Sequence, residues 1–131
     1  MAKLPVAVGL SLCEQVVIEE KTHNVTLVNC FTARTAARFP SEPIPFVAYA
    51  LLTDGLGEIT LEVVIQRLDT LDVVHRRSAT ARFTDPLQTM RCRIRLRSSF
   101  PIPGHYQVTL LANGAFLAQR KMQILAKEKN P

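Results

Sequence analysis

Four arginines, Arg91, Arg93, Arg95 and Arg97, alternate with Cys92, Ile94 and Leu96 in the segment RCRIRLR. A guanidinium group is planar, permanently charged and fork-shaped, which suits it to bidentate contact with carboxylate or phosphate. On an extended chain, alternate side chains share one face at a spacing of about 6.6–6.8 Å. The four would then form a ladder, with Arg76, Arg77 and Arg82 as candidates to lengthen it. Two accounts fit this pattern. In one, the arginines pair across strands with acids, Glu58 and Glu62 being the nearest candidates, and simply make the wet side of a sheet, where exposed charge also blocks unwanted strand addition. In the other they recognise an anionic surface, with Arg91, Arg93, Arg95, Arg97, Arg76 and Arg82 as the contacts. An acidic protein is the first choice of partner and nucleic acid the second, because tryptophan is absent and no Tyr or Phe alternates with the arginines to stack on bases.

Other chemistry is thinly represented. A nucleophile needs an adjacent base, and a metal needs three or four converging ligands. His23, His75 and His105 have no local ligand partners and read as solvated or edge residues. The carboxylate pairs Glu19-Glu20 and Glu58/Glu62 read as a hairpin end and an outward strand face. The segment GLGE at 55 to 58 is a tight turn without the helix or lysine of a phosphate cradle. The three cysteines are odd in number and not closely spaced, which fits reduced thiols better than a disulfide framework. These patterns lead to the expectation of no enzyme activity, no metal and no cofactor. A pocket built from loops around His105 and Tyr106 is the third class of reading.

The elements that must position these residues are strands. Apolar residues recur with a period of two, in short segments rich in Val, Ile, Leu and Thr between turn signals. The expected strands span 8–19, 25–33, 45–53, 58–67, 72–83, 90–98, 105–112 and 116–125, while TARTAARFP reads as one helical turn ended by Pro40. Register follows from keeping apolar faces together, since a slip of one residue reverses every side chain. A first hairpin with residues 20–23 as its loop sets Ile18 against Val25, Val16 against Leu27 and Leu12 against Phe31, and places Cys13 opposite Cys30. In the last hairpin, turned at Asn113-Gly114, a three-residue loop with a bulge aligns Leu110 with Ala118 and Tyr106 with Met122, leaving Arg120 opposite Val108. Cys92, Ile94 and Leu96 are expected inside and the arginines outside.

A chain of 131 residues, 47% of them apolar, is enough for one domain with a continuous core, residues 127–131 forming a frayed tail. The net charge of +5 is unevenly held: residues 1–66 carry four Lys or Arg against seven Asp or Glu, and residues 67–131 carry twelve against four. Such an excess steers anionic partners toward the basic half. The opening MAKLPVAVGLSLC has a short apolar stretch and a bulky Leu12 before Cys13, unlike a cleavable signal. No run is long enough to span a bilayer. A cytoplasmic setting without membrane association is the expectation.

The segment PIPGHYQVTLL resembles the entry to the penultimate strand of immunoglobulin-like domains, where a tyrosine, here Tyr106, bonds back to the upstream backbone. Val108 stands where antibody domains place their second cysteine, which sets the antibody branch aside. More broadly, LSLCEQVVIEEKTHNVTLVNCFT, FPSEPIPFVAYALLTDGLGEITLEVVI and FPIPGHYQVTLLANGAFLAQRKMQI resemble a family of small bacterial proteins of unknown function. The resemblance implies an antiparallel immunoglobulin-like β-sandwich of seven to eight strands and transfers no activity. The resulting expectation is a non-catalytic interaction or assembly module that binds an acidic protein or self-associates through an uncovered sheet edge.

Overall fold

The computed structural model describes residues 2–128, and every ordered element in that range is a strand: β1 (Val6–Cys13), β2 (Gln15–Ile18), β3 (Val25–Val28), β4 (Ala33–Ala36), β5 (Ile44–Thr53), β6 (Gly57–Arg67), β7 (Val73–Phe83), β8 (Met90–Ser98), β9 (Gly104–Ala112) and β10 (Ala115–Ala126). A three-stranded sheet in the order β1-β5-β8 packs on a five-stranded sheet in the order β4-β10-β9-β6-β7, and β2 pairs with β3 alone. The inward residues of both sheets form one core. Leu10, Leu12, Phe46, Ala48, Leu52, Ile94 and Leu96 meet Ile59, Val63, Ile65, Tyr106, Val108, Leu110, Met122 and Ile124. The chain is thus an all-β sandwich. Among the described residues no helix is long and apolar enough to cross a membrane.

Three details differ from the expectation. Described residues form ten strands, because the first predicted strand breaks at Glu14 into β1 and β2 and because β4 is added after the second, which ends at Val28. Residues 33–36, read as part of a helical turn, are strand β4, which pairs parallel with β10 so that Ala33 meets Gln123 and Ala36 meets Ala126. The sandwich is therefore not wholly antiparallel. Of the predicted tail, 129–131 lies outside the described residues, and the Lys127 amide donates to the Ala36 carbonyl at 2.9 Å, prolonging that parallel pairing.

The first hairpin has the predicted register, Val16 with Leu27 and Ile18 with Val25. Its apolar side, with Val16, Ile18, Val25 and Leu27, closes over Cys13, Val47 and Tyr49 on the outer face of the three-stranded sheet, making a second, smaller core. In the last hairpin Leu110 faces Ala118, Val108 faces Arg120 and Tyr106 faces Met122, as apolar matching requires. The bulge, however, lies at Leu117 rather than in the loop. The turn itself is the two residues Asn113 and Gly114, at φ 48° and 82°, the left-handed pair that matches strand twist in a tight hairpin. Arg120 has a resolved role in this arrangement: its Nε donates to the Leu10 carbonyl at 2.7 Å. That carbonyl lies within an irregularity of β1 between Val8 and Ser11, next to Gly9 at φ 75°. An arginine at an inward position thus satisfies a main-chain acceptor that the ladder leaves over.

Candidate functional site

Strand β8 owes its position to a strict alternation of apolar and basic residues. Cys92, Ile94, Leu96 and Ser98 are buried while Arg91, Arg93, Arg95 and Arg97 are exposed, so the register puts the predicted ladder in water. Burial of three apolar side chains contributes about 1.5–3 kcal/mol for a residue such as Ile94 or Leu96, and a one-residue slip would bury four guanidinium groups instead. Among the described residues the strand pairs only with β5 and forms one edge of its sheet.

Cross-strand neighbours of the ladder are Leu51 for Arg91, Tyr49 for Arg93, Val47 for Arg95 and Pro45 for Arg97. None of these is acidic. Among the described residues, the ion pairs are Arg38 with Glu42, Arg67 with Asp69, and Arg76 with Glu62, so the four ladder arginines have no carboxylate partner. Pairing with Glu58 and Glu62 is corrected on this point. Both acids lie on β6 in the other sheet, where Glu58 faces Arg82 and Glu62 faces Ser78. Glu62 accepts a bond from Arg76 at 3.1 Å.

The same pairings separate the six predicted contacts. Arg76 and Arg82 sit on β7, on the outward face of the five-stranded sheet, and Arg77 occupies an inward register opposite buried Val63. They do not lengthen the β8 ladder; they belong to a different surface, on which Arg76 is already partnered. Tyr49, conversely, was missed by sequence reasoning. It does not alternate with the arginines along the chain, yet it stands directly across from Arg93. The signal was present in the apolar periodicity of β5, but reading it required knowing that β5 is the neighbour of β8.

A cavity of about 440 Å³ surrounds the third candidate region, lined by Arg67, Leu68, Asp69, Ile102, Pro103, Gly104, His105 and Tyr106. Its arginine and carboxylate bond to each other, and its phenol bonds to the main chain. Arg67 grips Asp69 through Nε at 3.1 Å and Nη2 at 2.8 Å, and this fork holds the Asp69 carboxyl below its usual range. The Tyr106 hydroxyl donates to the Ile102 carbonyl at 2.6 Å. This is the bond back to upstream backbone expected of a corner tyrosine, and burial pushes the phenol up from its ordinary value.

All three cysteines are free thiols, with Cys13 and Cys92 buried and Cys30 exposed. Hydrogen bonds from Glu14 N to Val28 O and from Phe31 N to Leu12 O, each 3.0 Å, flank the Cys13 and Cys30 positions. Burial first, then the neighbouring Cys30, pushes the Cys13 thiol up. Among the described residues no group of three or more His, Cys, Asp or Glu is placed to hold a metal.

Solved structures to which the chain is similar at low identity include two from Pseudomonas. One is an alkylpurine DNA glycosylase of Pseudomonas fluorescens bound to DNA containing an abasic site analog, 13% identical with a TM-score of 0.43, covering 72% of this chain and 28% of that one. The other is an immunoglobulin-like protein of Pseudomonas aeruginosa, 10% identical with a TM-score of 0.42, covering 95% of this chain and 96% of that one. The chain spans less than a third of the glycosylase's length. No family model and no curated protein matches it.

Proposed function

We propose that this chain is a non-catalytic interaction module of immunoglobulin-like architecture, acting in a cytoplasmic setting, that recognises an acidic protein through Arg91, Arg93, Arg95 and Arg97. The observation that carries the reading is the unpartnered ladder: four exposed guanidinium groups on one strand face with no carboxylate of the described chain in reach. Guanidinium forks gain most from planar anions, and an unopposed row of them concentrates positive potential where a partner first arrives. The cleft near His105 supports the non-catalytic part, since its arginine and carboxylate are engaged with each other and its phenol with the Ile102 carbonyl. The immunoglobulin-like reading rests on the corner bond of Tyr106 and the packing of two sheets. It agrees with the resemblance to small bacterial proteins described above.

Charge reversal tests this directly. The double variant Arg93→Glu/Arg95→Glu and the wild type are titrated with a glutamate-rich peptide and with a single-stranded oligonucleotide. The proposal expects peptide binding to the wild type and its loss in the variant. Tighter binding of the oligonucleotide, with a salt slope near −2.8 for about four phosphate contacts, would transfer the face to nucleic acid. Binding of neither probe would reduce the arginines to a solvated face.

A further inference from the structure

Resting on that reading, we propose that the partner is an extended acidic segment that adds as a fourth strand alongside β8, with Asp or Glu at alternate positions opposite the arginine ladder. Three features converge on this occupant. The first is the free edge: among the described residues β8 pairs with β5 on one side and with no strand on the other, so its outward amides and carbonyls are available to an incoming main chain.

The second is an uncovered lane beneath that edge. The five-stranded sheet is two strands wider than its partner, with β1 contacting β10 and β8 contacting β7. Along β6 the inward residues Ile59, Leu61, Val63 and Ile65 are all buried. Their cross-strand neighbours on β7 are Ala81, Ala79, Arg77 and His75. Of these only Ala81 is buried; Ala79 and Arg77 are exposed and His75 is half-buried. The inward face of β7 therefore loses its cover along the strand away from the β7-β8 connection. A strand lying beside β8 would occupy the layer over this stretch. Its inward residues would meet a small side chain, a cation and an imidazole, a surface that favours short polar or acidic groups over bulky apolar ones.

The third is charge. A second copy presenting its own β8 would set arginine rows against each other on one face, which is destabilising in a sheet. An acidic strand meets the same row with opposite charge. The ladder thus discriminates in both directions, rejecting its own edge while admitting a complementary one. Its spacing specifies the pattern, because only acids two residues apart fall opposite successive arginines.

The test uses the intact protein and a short synthetic peptide alternating glutamate with threonine. Two further peptides have the same charge but carry backbone N-methyl groups, either on every glutamate or on every threonine. In a strand each alternate set directs its amides to one edge, so only one set faces β8. The expected result is that one methylated peptide binds at least about tenfold more weakly than the other, since each lost main-chain bond removes a fraction of the affinity. Amide signals of β8 should shift on binding of the parent peptide. Equal affinity of both methylated peptides with the parent would overturn strand addition while leaving charge recognition by the ladder intact. Failure of the parent peptide to bind, or equal binding to Arg93→Glu/Arg95→Glu, would overturn the ladder reading itself.

Discussion

Tyr106 is 1% exposed, and its ring meets Phe100 edge-on at 4.8 Å while its hydroxyl reaches the Ile102 carbonyl. Tyr106→Phe keeps the ring packing and removes the bond, leaving a part-buried acceptor without its donor. The expected loss of stability is about 1–2 kcal/mol, measured by urea unfolding. Cys92 gives a second residue-level expectation, this one in pH. Burial pushes its thiol from 9.0 up to about 11, so in this interval the unfolded chain releases a proton that the folded chain retains. The contribution is present in full below pH 9 and declines as pH rises toward 11, by on the order of 2 kcal/mol. Cys13 and Tyr106, both raised as well, act in the same direction. Unfolding followed from pH 8 to 11 should therefore show falling stability, with a shallower fall in Cys92→Ala. The same burial predicts that Cys30 alone reacts rapidly with a thiol reagent in the native protein, and that the other two react on denaturation.

At the scale of elements, hairpins were the most legible features. Each pairs residues close in sequence, and apolar matching alone selects among a few registers. This is why the Val16–Leu27 and Tyr106–Met122 pairings could be read directly, although the bulge at Leu117 could not be told from a longer loop with the same downstream register. Strand β4 was not legible. Its partner, β10, lies far along the chain, Ala33 pairing with Gln123, and the alanines and arginines of TARTAARFP carry no local strand signal. The Asn113-Gly114 turn is a good place to test such an element. Asn113 holds a positive φ, and its side-chain carbonyl accepts from the Thr60 amide at 2.9 Å, tying the β9-β10 turn to β6. Asn113→Ala loses both the residue type that tolerates this backbone and the cross-strand bond. It should cost about 1–2 kcal/mol in urea unfolding, whereas Glu62→Gln, which breaks only an exposed pair with Arg76, should cost less than about 1 kcal/mol.

For the whole molecule, the basic half of the sequence does not become one basic surface. Period-two patterning set the inward and outward faces of β8 and β6, but sheet membership depends on long-range topology that no local pattern encodes. The arginines of β8 and the acids of β6 therefore looked like cross-strand partners in sequence, whereas the fold assigns them to opposite sheets and leaves the ladder without acids. Arg76 and Arg82 become an internal control: they are cations of the same type, on the outward face of the other sheet. The most direct measurement compares the affinity of an alternating glutamate-threonine peptide for the wild type, Arg93→Glu/Arg95→Glu and Arg76→Glu/Arg82→Glu. The account predicts that binding is lost in the β8 variant and largely kept in the β7 variant. Equal loss in both would mean that net charge, rather than the ladder on β8, attracts the peptide, and would contradict it.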